Sequence, residues 1–140
     1  MRTDTTLTSA VGLYSQFRRQ GYDFFAGVPC SGLTPFINDL MADPDIPYLP
    51  APREDVAVAL AAGAALGGKR PLVYLQSSGL GHLVNPITSL LKPYGISVHL
   101  LISLRTRPFE HEFMRKIAGR LLELLEWEEC TIVEEPACDA

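Results

Sequence analysis

Pro71-Leu72-Val73-Tyr74-Leu75-Gln76-Ser77-Ser78-Gly79-Leu80-Gly81 is the stretch that decides how this chain folds. From Pro71 to Gln76 the run is continuously apolar, the pattern of a strand covered on both faces, as parallel sheets require. Small residues then make a turn from Ser77 to Gly81, and a helical pattern continues to Leu91. A strand passing through a tight turn into a helix is half of a β-α-β unit.

The alternation continues outward in both directions. Toward the C-terminus, Ile96 to Leu104 is the most apolar strand. Phe109 to Trp127 then reads as a long amphipathic helix, with Phe113, Ile117, Leu121, Leu124 and Leu125 expected on its buried side. Cys130 to Val133 reads as a last short strand, and the acidic tail beyond it is expected to fray. Toward the N-terminus, Glu54 to Leu66 is an alanine-rich helix with Val56, Leu60 and Ala64 on one face, ended by Gly67-Gly68. Ile46 to Leu49 is a weak strand broken by Pro47 and Pro50. Thr34-Pro35 caps a helix reaching to about Met41. Asp23 to Val28 is a buried strand, and Ser9 to Gln20 a helix carrying Val11, Tyr14 and Phe17, stopped at Gly21. The expected fold is α/β: a three-layer, doubly wound, mostly parallel sheet, forming a single domain over residues 1–140.

Composition agrees with that reading. The 140 residues are 47% hydrophobic and 20% charged, with formal net charge −4. Such a chain has material for a core. Its acidic balance is opposite to that of nucleic-acid binders and anionic-membrane binders, so neither partner is expected. No apolar run reaches the length of a membrane span. The polar start, Met1 to Thr6, has no signal-like apolar core, and a cytoplasmic location is expected. Cys30, Cys130 and Cys138 have neither disulfide-framework nor zinc spacing, and no metal site is expected on this chain.

In doubly wound sheets, ligands sit outside the carboxyl ends of the strands. Three segments occupy those places: Val28-Pro29-Cys30-Ser31, Pro52-Arg53-Glu54-Asp55 and Gln76 to Gly81. The glycine turn could offer backbone N–H groups to a phosphate, or be no more than a tight turn; it is neither a Walker A loop nor a full dinucleotide fingerprint. Glu54 and Asp55 could offset the dipole of their helix, or point a carboxylate into a crevice. A nucleophilic Cys30 would need His82, the histidine of the glycine turn, as its base. His99 falls inside an apolar strand, as a core or interface residue would.

Three ordered motifs carry a resemblance. They are Phe25-Ala26-Gly27-Val28-Pro29-Cys30-Ser31, the run from Arg53 to Gly63, and Tyr74 to Pro86. In this order and spacing the chain, from about residue 8 to 134, resembles the pyrimidine-binding (PYR) domain of thiamine-diphosphate-dependent 2-oxoacid decarboxylases. It is most similar to sulfopyruvate decarboxylase alpha subunits and the N-terminal part of phosphonopyruvate decarboxylase. Those decarboxylases usually carry Asn-Ser-Gly-Leu-Gly-Asn in the third motif, where this chain has Gln76-Ser77-Ser78-Gly79-Leu80-Gly81-His82.

The resemblance implies roles. Glu54 would hydrogen-bond N1′ of the cofactor's aminopyrimidine and promote the imino tautomer, whose exocyclic nitrogen takes the thiazolium C2 proton. The resulting ylide and enamine convert a small 2-oxoacid to CO₂ and an aldehyde; carboligation would share those species. Val28, Pro29, Gln76, Ser77, Ser78 and Gly79 would border the cofactor. Cys30, Ser31, His82 and Asn85 would face the substrate, while Arg105 or Arg107 could receive a distal anion or be no more than solvated loop charges. The small residues Ala59 to Gly63 would sit at a subunit interface. The Gly-Asp-Gly motif that holds Mg²⁺ and diphosphate in the family is absent from this sequence. The resemblance therefore implies a separate diphosphate-binding (PP) beta subunit, in an α₂β₂ or larger assembly. A different class, a non-catalytic nucleotide-binding α/β module, is separated from it by whether Glu54 is needed.

Overall fold

The computed structural model describes residues 5–135. Its six strands form one sheet in the order β1-β6-β5-β4-β2-β3, where β1 is Thr5–Leu7, β2 Phe24–Gly27, β3 Leu49–Pro50, β4 Pro71–Gln76, β5 His99–Leu104 and β6 Cys130–Glu134. Every pairing is parallel. The expectation of a mostly parallel, covered sheet thus holds in its stricter form.

Helices cover both faces. Strand β4 shows the division: Leu72 and Tyr74 point into one apolar cluster, Val73 and Leu75 into the other. The first cluster is closed by α1 (Leu13–Arg19) and α2 (Thr34–Ala42), which opens with a proline in its first turn. Phe36 sits at its centre, its ring centroid 5.8 Å from those of both Tyr14 and Tyr74 and 6.0 Å from Phe25. Truncating such a buried ring costs about 3–5 kcal/mol. The second cluster is closed by α3 (Glu54–Leu66), by a helical stretch after β4, and by α6 (Glu112–Leu124). That stretch begins as a 3₁₀ segment at Ser77–Leu83, becomes α4 (Val84–Pro86), passes through a π-helical turn at Ile87–Leu91 and ends as α5 (Lys92–Tyr94).

Several local expectations are corrected. No element is read before Ser9, yet Thr5–Leu7 forms β1, because β6 offers it an open edge. The strand expected over Ile46 to Leu49 is instead Leu49–Pro50, so Pro50 closes the strand as its last residue. Val11 lies ahead of α1 and is exposed. On α6, Ala118 and Leu122 are buried and Leu125 follows them inward, but Phe113 and Leu124 are 72% and 83% exposed. The helix packs on a narrower stripe than its apolar content suggests. On α3, Ala57, Val58, Ala61 and Ala62 face the sheet, so the face carrying Val56 and Leu60 points outward. Of the acidic tail, Glu134 closes β6; residues 136–140, Cys138 and the expected fraying lie outside the described residues, as do residues 1–4.

The strand order reverses between β2 and β4: the chain leaves β2 toward the β3 edge and returns across it to β4. Parallel α/β sheets open a crevice at such a switch point.

Candidate active site

Three loops converge on the carboxyl ends of β2, β3 and β4. Leaving β2, the backbone stays tied to its neighbours: the Val28 N–H donates to the Tyr74 carbonyl (3.2 Å) and the Ala51 N–H to the Gly27 carbonyl (2.8 Å). Glycine is required at position 27, since a Cβ there would strike the Tyr74 backbone and ring. Val28 and Cys30 are half-buried, while Pro29 and Ser31 are exposed.

Leaving β3, the chain enters α3 at Glu54, directly after the extended Arg53. Alanine-rich packing holds this helix close to the sheet, and Glu54, only 6% exposed, is carried down into the crevice. Asp55 beside it turns outward to Arg53 (2.9 Å). The two carboxylates therefore part: one closes a surface pair, the other is buried.

Leaving β4, the 3₁₀ segment lays Gly79 against the Glu54 carboxylate. A Cβ at position 79 would overlap Oε1, Cδ and Cγ of Glu54. His82, on the same segment, reaches the other oxygen: Nδ1 lies 2.6 Å from Glu54 Oε2. Ser77 is buried and its hydroxyl accepts the Arg105 backbone N–H (3.2 Å). Ser78 hydrogen-bonds His111 Nδ1 through its hydroxyl.

Arg105 ties the rim together from the end of β5. Its guanidinium donates to Gln76 Oε1 (3.2 Å) and to the Arg107 carbonyl (2.8 Å), and its Nε lies 2.8 Å from Glu135 Oε1. The charge expected to be available to a ligand anion is thus balanced within the chain. Behind it, Gly32 packs on Ser103 and Glu135, which closes the β2 loop over the end of β5. Burial pushes the Cys30 thiol above its ordinary range, outweighing the Leu33 backbone N–H and Arg105 that pull it down. With its thiol so disposed and His82 held by Glu54, Cys30 lacks the setting of an activated nucleophile.

The structure accordingly brings Glu54, Gly79 and His82 together, with Gln76, Ser77 and Ser78 held at the rim by hydrogen bonds to Arg105 and His111. Ser31 and Asn85 are exposed, and neither hydrogen-bonds to Glu54 or His82. Sequence reading assigned His111 no site role and left Glu135 unremarked, because no local spacing relates either residue to its partner. It did single out Arg105, but as a ligand rather than a clamp. Among the described residues, no group of three His, Cys, Asp or Glu side chains is placed to hold a metal ion. No helix among them is long and apolar enough to cross a membrane.

Fold and site define an all-parallel α/β domain with a buried carboxylate at its topological switch point. Residues 8–113 match the family model described as "Thiamine pyrophosphate enzyme, N-terminal TPP binding domain". The chain belongs to this family of thiamine pyrophosphate enzymes, as an N-terminal TPP-binding domain. It is 42% identical over 128 residues to a phosphonopyruvate decarboxylase of Streptomyces viridochromogenes, covering 86% of this chain and 32% of that one. It is 35% identical to a sulfopyruvate decarboxylase subunit alpha of Methanothermobacter thermautotrophicus, covering 84% of this chain and 74% of the relative. Overall it spans about a third of the phosphonopyruvate decarboxylases it matches. Among solved structures, a 2-oxoglutarate:ferredoxin oxidoreductase from Magnetococcus marinus superposes with a TM-score of 0.60 at 15% identity, over 89% of this chain and 27% of that one. That likeness carries the fold alone.

Proposed function

We propose that this chain supplies the aminopyrimidine side of a thiamine diphosphate site in a decarboxylase of small 2-oxoacids that bear a distal sulfonate or phosphonate. The observation that carries the reading is the buried Glu54 carboxylate, seated on Gly79 at the switch point. A carboxylate in a dry crevice suits a ring nitrogen that must gain and lose a proton. A glycine at position 79 leaves the room that the carboxylate itself takes up. Membership of the thiamine pyrophosphate family and the names of the decarboxylase relatives support the same assignment.

Bound there, thiamine diphosphate supplies a nucleophilic carbon and an electron sink for loss of CO₂ from the 2-oxoacid. The chain's own residues hold and activate it. Glu54 gives a proton to the ring nitrogen and takes it back. Val28, Pro29, Gln76, Ser77, Ser78 and Gly79 wall the ring and exclude water. Cys30, Ser31 and Asn85 border the substrate end, and His82 lies between that end and Glu54. The diphosphate and Mg²⁺ are held by a partner PP-domain subunit, in an α₂β₂ or larger assembly located in the cytoplasm. One observation supports a partner: three relatives are named as alpha subunits.

Reconstitution tests this reading. The chain, mixed with a PP-domain subunit, thiamine diphosphate and Mg²⁺, should release CO₂ from sulfopyruvate or phosphonopyruvate, and neither subunit should do so alone. Robust turnover by the isolated chain would sink the split-site reading. No turnover by the mixture on any 2-oxoacid would sink the decarboxylase.

A further inference from the structure

Glu54 is nearly buried, and a buried carboxylate is costly unless something neutralises or hydrogen-bonds it. Three arginines pair with other carboxylates. Arg53 pairs with Asp55, Arg105 with Glu135, and Arg115 lies 3.8 Å from Glu134. Among the described residues the carboxylate's hydrogen-bond partner is His82, at 2.6 Å through Nδ1. The imidazole is the exposed member of the pair, with its side chain 49% accessible against 7% for Glu54.

The local backbone explains why one segment serves both oxygens. Residues three apart eclipse one another in a 3₁₀ helix. Gly79 and His82 are three apart on the 3₁₀ segment Ser77–Leu83, so they share a face. Gly79 is the floor beneath Oε1, and His82 is the tether on Oε2. Oε1 accepts no hydrogen bond among the described residues and is the oxygen left to share a proton with an incoming ring nitrogen.

We propose that His82 is a positioning residue: its Nδ1–H holds Glu54 Oε2 so that Oε1 alone addresses the cofactor ring, and it does not itself touch the reacting atoms. This rests on the proposed function above. It gives the imidazole a purpose that neither a substrate contact nor a surface charge provides.

The test uses the assembled enzyme and two variants. His82→Ala removes the donor, while His82→Asn keeps an N–H near the place of Nδ1. The readouts are C2–H/D exchange of bound thiamine diphosphate, followed by acid-quench NMR, and the cofactor's Kd. Losing one hydrogen bond to a charged group predicts about 10- to 100-fold slower exchange in His82→Ala. Its Kd should stay within about threefold of wild type, and His82→Asn should recover most of the exchange rate. A third readout needs no cofactor. ¹⁵N spectra of the chain should show the His82 proton on Nδ1, and Glu54→Gln should change that signature.

The proposal is overturned by exchange in His82→Ala equal to wild type, by exchange in His82→Asn as slow as in His82→Ala, or by an imidazole signature indifferent to Glu54→Gln. Faster exchange with tighter cofactor binding in His82→Ala would also overturn it, by making the imidazole a competitor. Failure of the parent reading looks different, since wild-type enzyme would then bind no cofactor at all.

Discussion

The Glu54 carboxylate occupies the space beside Gly79 that any larger residue's Cβ would need. The two residues lie on different elements, α3 and the 3₁₀ segment after β4, and they meet only where both pack over the second apolar cluster. This contact makes Gly79 part of the carboxylate's seat. Gly79→Ala should displace Glu54 and lower decarboxylation by the reconstituted pair at least about 100-fold, the scale of a misplaced proton-transfer group. Circular dichroism should show the fold retained. Wild-type activity in Gly79→Ala would refute the seat.

Glu54→Gln should keep the shape of the site while ending proton exchange. Turnover should fall by about 10²–10⁴-fold, the range for a positioned acid–base group. Thermal unfolding should shift little or upward, because a buried charge is replaced by a neutral amide. The check is kcat beside Tm; unimpaired turnover would favour the non-catalytic module.

His99 should make the fold sensitive to mild acid. Burial, with a smaller push from Arg70, lowers its pKa from the ordinary 6.5 to about 4. Its Nε2 lies 2.9 Å from the Thr131 hydroxyl, and its ring packs 5.2 Å from Phe17 and 5.4 Å from Tyr22. The unfolded chain takes up this proton below about pH 6.5, and the folded chain does not until about pH 4. Stability should therefore fall as pH drops through that window, by up to about 3 kcal/mol from this group, and be indifferent to it above. Urea unfolding across the window measures the slope, which His99→Gln should flatten.

Arg105→Met should loosen the rim. It removes the donors to Gln76 and Arg107 and strands Glu135, a loss of about 1–3 kcal/mol. Arg105→Lys keeps the charge but not the planar fork, so recovery should be partial. Chemical denaturation measures the stability change. If Arg105→Met matches wild type, the clamp contributes nothing.

Much of this was legible in the chain itself. Continuous apolar runs such as Pro71 to Gln76, separated by helical periods, require a covered parallel sheet, since strand and helix repeats are set by local backbone geometry. The same alternation puts Val28, Glu54 and Ser77 at carboxyl ends of strands, so the neighbourhood of the site was readable without coordinates. Periodicity does not say which side of an all-round apolar helix turns inward. Val56 and Leu60 face outward on α3 because the alanines opposite allow closer approach to the sheet. Phe113 and Leu124 stand exposed on α6 for a similar reason: only a narrow stripe of that helix meets the core.

By itself, then, the sequence determined the alternation of strand and helix, the parallel sheet and the three loops that could meet a ligand. Tertiary structure alone decided the partnerships: His82 with Glu54, 28 residues apart, Ser78 with His111, 33 apart, and Arg105 with Gln76, 29 apart. The reason is physical. Local propensity acts over a few residues, whereas these contacts exist only once two crossovers have packed against the same sheet, and burial then makes each one costly to leave unmade.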